Sequence, residues 1–316
     1  SRGLGDVYKR QQLKRLDFNM KKFKNLFLSF IVIFLFELIF AKIANTAACT
    51  ATNGVYSKSE IQTGGGCGIL PEHYEVTIYK IYFCRSEPTT PTTSAGVDLT
   101  DCFQIFNNDS GSIAVVVQNQ SVDLTGEITK PPKGTYTHGY VMMSKTYKIK
   151  ASLKIDTFME GQVSGSGVFC RTAEASGSYT KGSGATSNRS ICSDTEEVAG
   201  TYTETFTHLG VNSETWDPTS IVNNINGTSS SIKAILVDEN GHLAANEAEV
   251  DKFEGFTAFG NPLIITNNTI DITLNFNVDT AAAVATAGGD GIYLGVNAFS
   301  AMFTTTERKR RRGAWR

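Results

Sequence analysis

The segment Tyr74–Cys84, YEVTIYKIYFC, decides the fold class of this chain of 316 residues. Its side chains alternate between two faces, which is the period of a β-strand. One face carries Val76, Ile78, Lys80 and Tyr82, and the other carries Thr77, Tyr79, Ile81 and Phe83. Both faces are rich in β-branched and aromatic residues, a composition that favours strands. The segment therefore predicts a strand inside a β-sandwich.

Later segments extend this pattern. In Thr269–Val278, TIDITLNFNV, apolar and polar residues alternate as in a half-buried antiparallel strand. Ile232–Val237 is followed by an Asn-Gly pair, which is typical of a hairpin. The sequence contains no long amphipathic helix pattern. We therefore predict an all-β fold for residues 74–303, an antiparallel β-sandwich of immunoglobulin-like or transthyretin-like type.

Four segments give more local predictions. Residues 135–154 alternate but carry lysines at positions 145, 148 and 150, which favours an edge strand or a solvated face. Residues 160–200 are rich in Gly and Ser and predict an insertion closed by a disulfide. Asn107–Ser112 has the composition of a turn, and the Ala-rich Asp279–Gly289 predicts a helical turn.

The N-terminal region has the layout of a secretory signal. Residues 1–19 precede Met20 and are interpreted as a non-native scar, because residues 1–11 resemble a translated sequencing adapter. Residues 20–48 combine lysines, an apolar run of 11 residues and small residues before Cys49. That run is shorter than the roughly 20 residues of a membrane-spanning helix. A cleaved signal peptide predicts export to the periplasm, the outer-membrane surface or the medium.

Two segments flank the predicted sandwich. Residues 49–73 are polar and Gly-rich and are interpreted as a lead-in without regular periodicity. Residues 304–316 end in the basic sequence ERKRRRGAWR, which is interpreted as a disordered or artefactual tail.

All six cysteines follow the predicted signal, which agrees with export. They fall in order as three neighbouring pairs: Cys49 and Cys67, Cys84 and Cys102, Cys170 and Cys192. Pairing each cysteine with its neighbour would contribute about 3 kcal/mol per bridge, although six cysteines allow 15 connectivities. Cys49 has a second candidate role as a lipidated cysteine. Thr46 stands where lipoprotein signals normally carry Leu, and the even cysteine count favours the disulfide.

The charge of the chain limits its partners. Residues 49–306 hold 14 Lys and Arg against 27 Asp and Glu, a formal charge of −13. Such a surface repels nucleic acid, and membrane contact is expected only through the signal or a lipid on Cys49. The four histidines are dispersed and no CxxC occurs, so we predict no metal site and no cofactor.

Three segments together resemble a family of exported bacterial β-sandwich domains of unknown function that occur on lipoproteins and cell-surface proteins. They are YEVTIYKIYFC, KGTYTHGYVMMSKTYKIKA and TIDITLNFNVDTAAAV, within residues 74–303. The resemblance implies a surface location and a sandwich fold. It brings no catalytic residues to this chain.

The candidate site residues are few. Trp216, Tyr136 and Tyr140 are candidates for glycan contact, with a role in the core as the alternative. Two acid pairs, Glu214 with Asp217 and Asp238 with Glu239, have the residue types of a glycoside hydrolase. The turns at Asn107–Ser112 and Asp238–Asn240 are oxygen-rich, so calcium binding is weighed against ordinary Asx turns.

These observations predict a non-enzymatic secreted or surface-attached protein with a structural or adhesive role in the bacterial cell envelope. Its expected partners are other envelope proteins or glycans. Alternative predictions are a carbohydrate-binding module and a hydrolase whose site has no recognisable motif.

Overall fold

The computed structural model describes residues 47–63, 65–116, 122–180, 184–185, 189–210, 216–223, 231–286 and 289–308. Within these residues the only helices are α1, Lys58–Thr63, and a 3-10 turn, Glu247–Glu249. All other regular structure is β, so the predicted all-β sandwich-like fold is confirmed. No helix among the described residues is both long and apolar enough to cross a membrane.

The described residues contain twenty strands. In chain order these are β1 Ala51–Thr52, β2 Val55–Tyr56, β3 Cys67–Ile69, β4 His73–Cys84, β5 Cys102–Val116, β6 Glu127–Ile128, β7 Gly134–Lys150, β8 Ser152–Gly161, β9 Ser166–Thr172, β10 Ala175–Thr180, β11 Gly184–Ala185, β12 Ser190–Ser193, β13 Tyr202–Phe206, β14 Thr219–Asn223, β15 Ser231–Val237, β16 Lys252–Ile265, β17 Thr269–Asn277, β18 Ala282–Thr286, β19 Gly291–Val296 and β20 Ser300–Glu307.

The larger sheet has ten strands and is built around β7. Strand β4 pairs antiparallel with one edge of β7, with Tyr82 opposite Tyr140. Strands β16 and β13 pair with its other edge, placing Glu254 opposite Met142. Strands β15 and β14 continue beyond β16, β10 and β11 beyond β13, and β5 and β6 beyond β4.

Of the two interpretations of residues 135–154, an edge strand or a solvated face, the edge strand is therefore wrong. Both edges of β7 are occupied, and its lysines are accommodated by partners instead of by an open edge. Lys148 donates to a carboxylate oxygen of Glu75 (2.7 Å), and Lys145 donates to the carbonyl of Val250. Lysines on a strand therefore indicate an edge strand only when no neighbouring residue accepts their hydrogen bonds.

The smaller sheet has eight strands and follows the order β1, β2, β8, β19, β18, β3, with β9 on β8 and β12 on β9. It includes segments that the sequence places outside the sandwich. The polar lead-in supplies β1, β2 and β3, and the Gly/Ser-rich segment supplies β9 and β12. Most pairs in the two sheets are antiparallel, but β8 pairs parallel with both β2 and β19, and β10 pairs parallel with β13.

Two apolar clusters form most of the core. One contains residues of β4, β5, β7, β16 and β17, with the hairpin of β17 and β20 packed against the larger sheet. The other lies on the smaller sheet and centres on β8, β18 and β19, joined by Ile61 of α1 and Ile69 of β3. Because β7 runs almost directly into β8, one chain segment passes from the first cluster into the second.

A buried ion pair ties the two sheets together. Arg189, just before β12 of the smaller sheet, donates to a carboxylate oxygen of Glu204 on β13 of the larger sheet. The other carboxylate oxygen accepts from the backbone N–H of Val296 on β19 (2.7 Å). Burial raises the pKa of Glu204, while Arg189 and the Val296 amide oppose that rise. Gly295 leaves room for the pair, since a Cβ there would lie 2.5 Å from Arg189 Nη1.

Three further local predictions are corrected. Asn107–Ser112 lies inside the long strand β5 and is not a turn. Within 279–289, Ala282–Thr286 form β18 and not a helical turn, because they pair with both β3 and β19, while residues 287–288 lie outside the described residues. Residues 304–307 extend β20 beyond the predicted end of the sandwich, and the N–H of Arg308 donates to the carbonyl of Asn268 (2.8 Å). The scar, nearly all of the signal segment and residues 309–316 lie outside the described residues.

The three predicted disulfides are present. Cys49 is bonded to Cys67, Cys84 to Cys102, and Cys170 to Cys192. The Cys49 sulfur is thus used by the disulfide, and a lipid thioether on it would require this bridge to be absent. Three disulfides indicate an oxidising, exported environment.

Candidate functional site

The three aromatic residues predicted for glycan contact are not brought together. Tyr136 is 1% and Tyr140 is 2% exposed, and they belong to different core clusters. Their hydroxyls donate to the carbonyl of Pro132 and to a carboxylate oxygen of Glu254, both at 2.7 Å. Trp216 is half-buried in a third cluster. Both tyrosines are buried, so neither ring presents a face to a sugar in solvent.

Asp217 and Asp238, from the two candidate acid pairs, accept backbone hydrogen bonds within their own turns. Asp217 accepts from the N–H of Thr219 (2.9 Å), while Glu214 lies outside the described residues. Asp238 Oδ1 accepts from the N–H groups of Asn240 and His242, each at 2.9 Å, which is an Asx turn. In the described part of the chain, no group of three or more His, Cys, Asp and Glu could hold a metal ion.

A cavity of about 220 Å³ lies between the larger sheet and the β17–β20 hairpin. We call it the aromatic cavity. Its lining comprises Tyr74, Ile78, Ile81, Gly139, Tyr140, Val141, Met143, Tyr147, Tyr179, Phe206, His208, Leu209, Ser220, Ile232, Ala234, Phe253, Gly255, Thr257, Leu274, Phe276, Val296, Asn297, Ala298, Phe299, Ala301 and Phe303. The lining is overwhelmingly apolar, as in sites for small apolar ligands.

The cavity exists because small residues of the sheet face large rings. Gly139, Ala234 and Gly255 lie near one another on β7, β15 and β16, where Gly255 is opposite both Val141 and Ala234. A Cβ at Gly255 would lie 2.9 Å from Val141 Cγ1, so glycine preserves this part of the wall. Glycine in a strand interior is a sequence signal for the close approach of another backbone or of a ligand.

Tyr147 occupies an aromatic part of the lining. Its ring contacts Phe206, Phe253 and Tyr74, with centroid distances of 5.6, 6.0 and 6.1 Å. Burial raises the pKa of Tyr147 and of Tyr74, so both phenols are neutral at physiological pH. The Tyr74 hydroxyl donates to the carbonyl of Asn297 (3.2 Å).

His208 adds a polar group to the lining. Its Nδ1 accepts from the backbone N–H of Asp217 (3.0 Å), which places the proton of the neutral imidazole on Nε2. Its ring stacks on Tyr179 at 6.2 Å between centroids. Tyrosines and this histidine are the only titratable side chains among the described lining residues, which include no Lys, Arg, Asp or Glu.

Glu254 is a buried acid that the sequence analysis missed. It lies on β16, does not line the cavity, and has its second oxygen buried without a hydrogen-bond partner in the described residues. Burial raises the pKa of Glu254 to about 7, against the opposing effect of the Tyr140 hydrogen bond. A single carboxyl closed off beside one tyrosine lacks the paired groups that acid–base hydrolysis needs.

A groove of about 570 Å³ runs between β5–β6 and β17. Ile128 on β6 and Ile270 on β17 flank it and are 73% and 56% exposed. Within the described residues, β17 pairs only with β20 and β6 only with β5. The side of β17 away from β20 therefore offers unpaired backbone groups.

Comparison of the chain with protein-family models, curated proteins and solved structures found no match.

Proposed function

We propose that this chain is an exported, non-enzymatic binding protein that holds a small apolar molecule in the aromatic cavity. The observation that carries the proposal is a void of about 220 Å³ walled by aromatic and aliphatic side chains. In another protein, an apolar cavity of about 150 Å³ stays dry and takes up benzene. A cavity of the present size has room for a substituted single ring or a short alkyl chain.

We propose that the protein is exported because of the predicted signal peptide and the three disulfides. We place the protein in the periplasm, at the cell surface or in the medium of a bacterium. A non-enzymatic role is supported by the character of the cavity, whose described lining contains no carboxylate, thiol or basic amine. His208 and the tyrosines are the lining groups capable of acid–base chemistry, and the described lining offers no carboxylate to pair with them as acid–base hydrolysis needs.

Calorimetric titration with ethylbenzene tests the proposal. We expect saturable binding to the wild-type protein and at least tenfold weaker binding to Ala234→Leu, because the larger side chain fills the void. Ala301→Leu, on β20 of the hairpin, also fills the void and replaces Ala234→Leu in the test if that variant folds poorly. Ala245→Leu is the matched control, since Ala245 is exposed and outside the lining. Absence of binding to the wild type, or equal binding to all variants, would reject the proposal.

The structural or adhesive role is a second candidate, and the unpaired side of β17 favours it. An extended segment of a partner protein could add to this edge and pack on Ile270 and Ile128. The role no longer has support from residues 135–154, because β7 is central.

Adhesion of protein-coated beads to cells tests the second candidate. Ile270→Lys places a charge on the edge and should reduce adhesion severalfold. Val198→Lys is the control, because Val198 is 88% exposed and lies on no strand. Equal loss in both variants would indicate a general charge effect and count against strand addition.

A further inference from the structure

The Tyr147 hydroxyl differs from the other tyrosine hydroxyls of the cavity wall. Tyr74, Tyr140 and Tyr179 donate to the carbonyl of Asn297, a carboxylate oxygen of Glu254 and the carbonyl of Gly210. The Tyr147 hydroxyl makes no hydrogen bond with any described residue, although Tyr147 is only 3% exposed. The hydroxyl is not one of the fully enclosed polar atoms that lack a partner, so it is open to the space of the cavity and is available to donate to a molecule held there.

The charge of the ligand is restricted by the same wall. No described lining residue carries a permanent charge. Neither Arg189 nor Glu204 lines the cavity, and the Glu204 carboxylate already accepts from Arg189 and from the backbone N–H of Val296. A carboxylate or ammonium inside the cavity would thus lose its hydration without gaining a counter-charge.

We infer that the ligand is an uncharged amphiphile, a single ring or short chain carrying one hydrogen-bond acceptor that receives the Tyr147 hydroxyl proton. The inference rests on the proposed function, because it names the chemical class held by the same cavity. It assigns Tyr147 as the residue that selects ligands with an acceptor. The aromatic neighbours Phe206 and Phe253 provide the apolar contact area around that donor.

Three probes of similar size separate the possibilities. Ethylbenzene has no acceptor, acetophenone has a neutral carbonyl acceptor, and benzoate has a charged one. With the wild-type protein, we expect ethylbenzene and acetophenone to bind and benzoate to bind on the order of a hundredfold more weakly than acetophenone. Comparable binding of benzoate would overturn the inference about charge.

Two phenylalanine variants test the role of Tyr147. Tyr147→Phe should weaken acetophenone binding about fivefold and change ethylbenzene binding less than twofold, because one hydrogen bond is lost. Tyr74→Phe is the matched control, since its hydroxyl already has a protein acceptor. It should change the affinities of the two probes by the same factor.

The outcomes distinguish the inference from the function on which it rests. If neither ethylbenzene nor acetophenone binds the wild type, the proposed function fails. If both bind and Tyr147→Phe affects them equally, the apolar site stands and the inference about the acceptor is rejected. An ordered water as the normal partner of Tyr147 predicts this second result.

Discussion

The smaller sheet and the aromatic cavity are held together in different ways. Two of the three disulfides, Cys49–Cys67 and Cys170–Cys192, lie within the cluster of the smaller sheet. The Arg189–Glu204 pair fixes this sheet against β13. The cavity, by contrast, is bounded by aromatic and aliphatic contacts between the larger sheet and a two-stranded hairpin. Directional and covalent links specify one arrangement, whereas apolar contacts leave space for a guest molecule.

Substitution of Arg189 should have the largest effect, because it breaks the ion pair that links the smaller sheet to β13. We expect Arg189→Met to lower the free energy of unfolding by about 3–5 kcal/mol, because Glu204 stays buried without its counter-charge. Guanidinium unfolding followed by tryptophan fluorescence measures the change. The double variant Arg189→Met/Glu204→Leu should recover most of the loss. No recovery would show that packing around Arg189, and not its charge, is what matters.

Glu254 gives the larger sheet a pH dependence of its own. Its folded-state pKa of about 7 lies above its ordinary value of 4.5, so the folded state holds the proton more tightly. The stabilisation is fully present below pH 4.5 and is lost as the pH rises through about 7. The loss amounts to about 3 kcal/mol by linkage.

Glu254→Gln tests this dependence, because glutamine is neutral and can still accept from Tyr140. We expect the variant to gain stability over the wild type as the pH rises from 5 to 8, measured by urea unfolding at several pH values. Glu249→Gln, at an exposed acid, is the control and should follow the wild type. A constant difference between wild type and Glu254→Gln across this range would contradict the raised pKa.

An alanine-to-leucine substitution in each region, the smaller-sheet cluster and the cavity wall, should give the smallest difference in stability but the most direct comparison. Ala282→Leu inserts atoms into the close-packed cluster of the smaller sheet and should cost about 1–3 kcal/mol. Ala234→Leu grows into the cavity and should be neutral or stabilising by up to about 1 kcal/mol. Thermal unfolding of both variants checks the order. Equal destabilisation would mean that the cavity wall accommodates the added atoms no better than the cluster of the smaller sheet does.

The sequence was most informative where a property is local. Alternation in Tyr74–Cys84 and Thr269–Val278 predicted strands that are present as β4 and β17. Neighbouring cysteines gave the correct disulfides, because short loops make such pairs the easiest to close. The same approach misplaced residues 49–73, whose short strands β1, β2 and β3 are stable only through their partners β8 and β18.

The candidate site was not predictable in this way. Tyr136 and Tyr140 have the composition of a sugar platform, and only their positions in the folded sheets show that both are buried. The glycines at 139 and 255 are visible in the sequence, but their effect depends on strands β7 and β16 lying side by side. Glu254 would likewise be assigned to the surface from the sequence, and only the structure shows that it is buried.

The sequence alone determined the β class, the export signal as a prediction, the acidic surface and the cysteine pairing, since these depend on local period, composition and spacing. Only the tertiary structure decided that β7 is central, that Arg189 meets Glu204, and that a void remains beside Tyr147. The physical reason is that register and packing are set by which faces meet, often across more than 100 residues. The cavity is the space that the side chains on those packed faces do not fill.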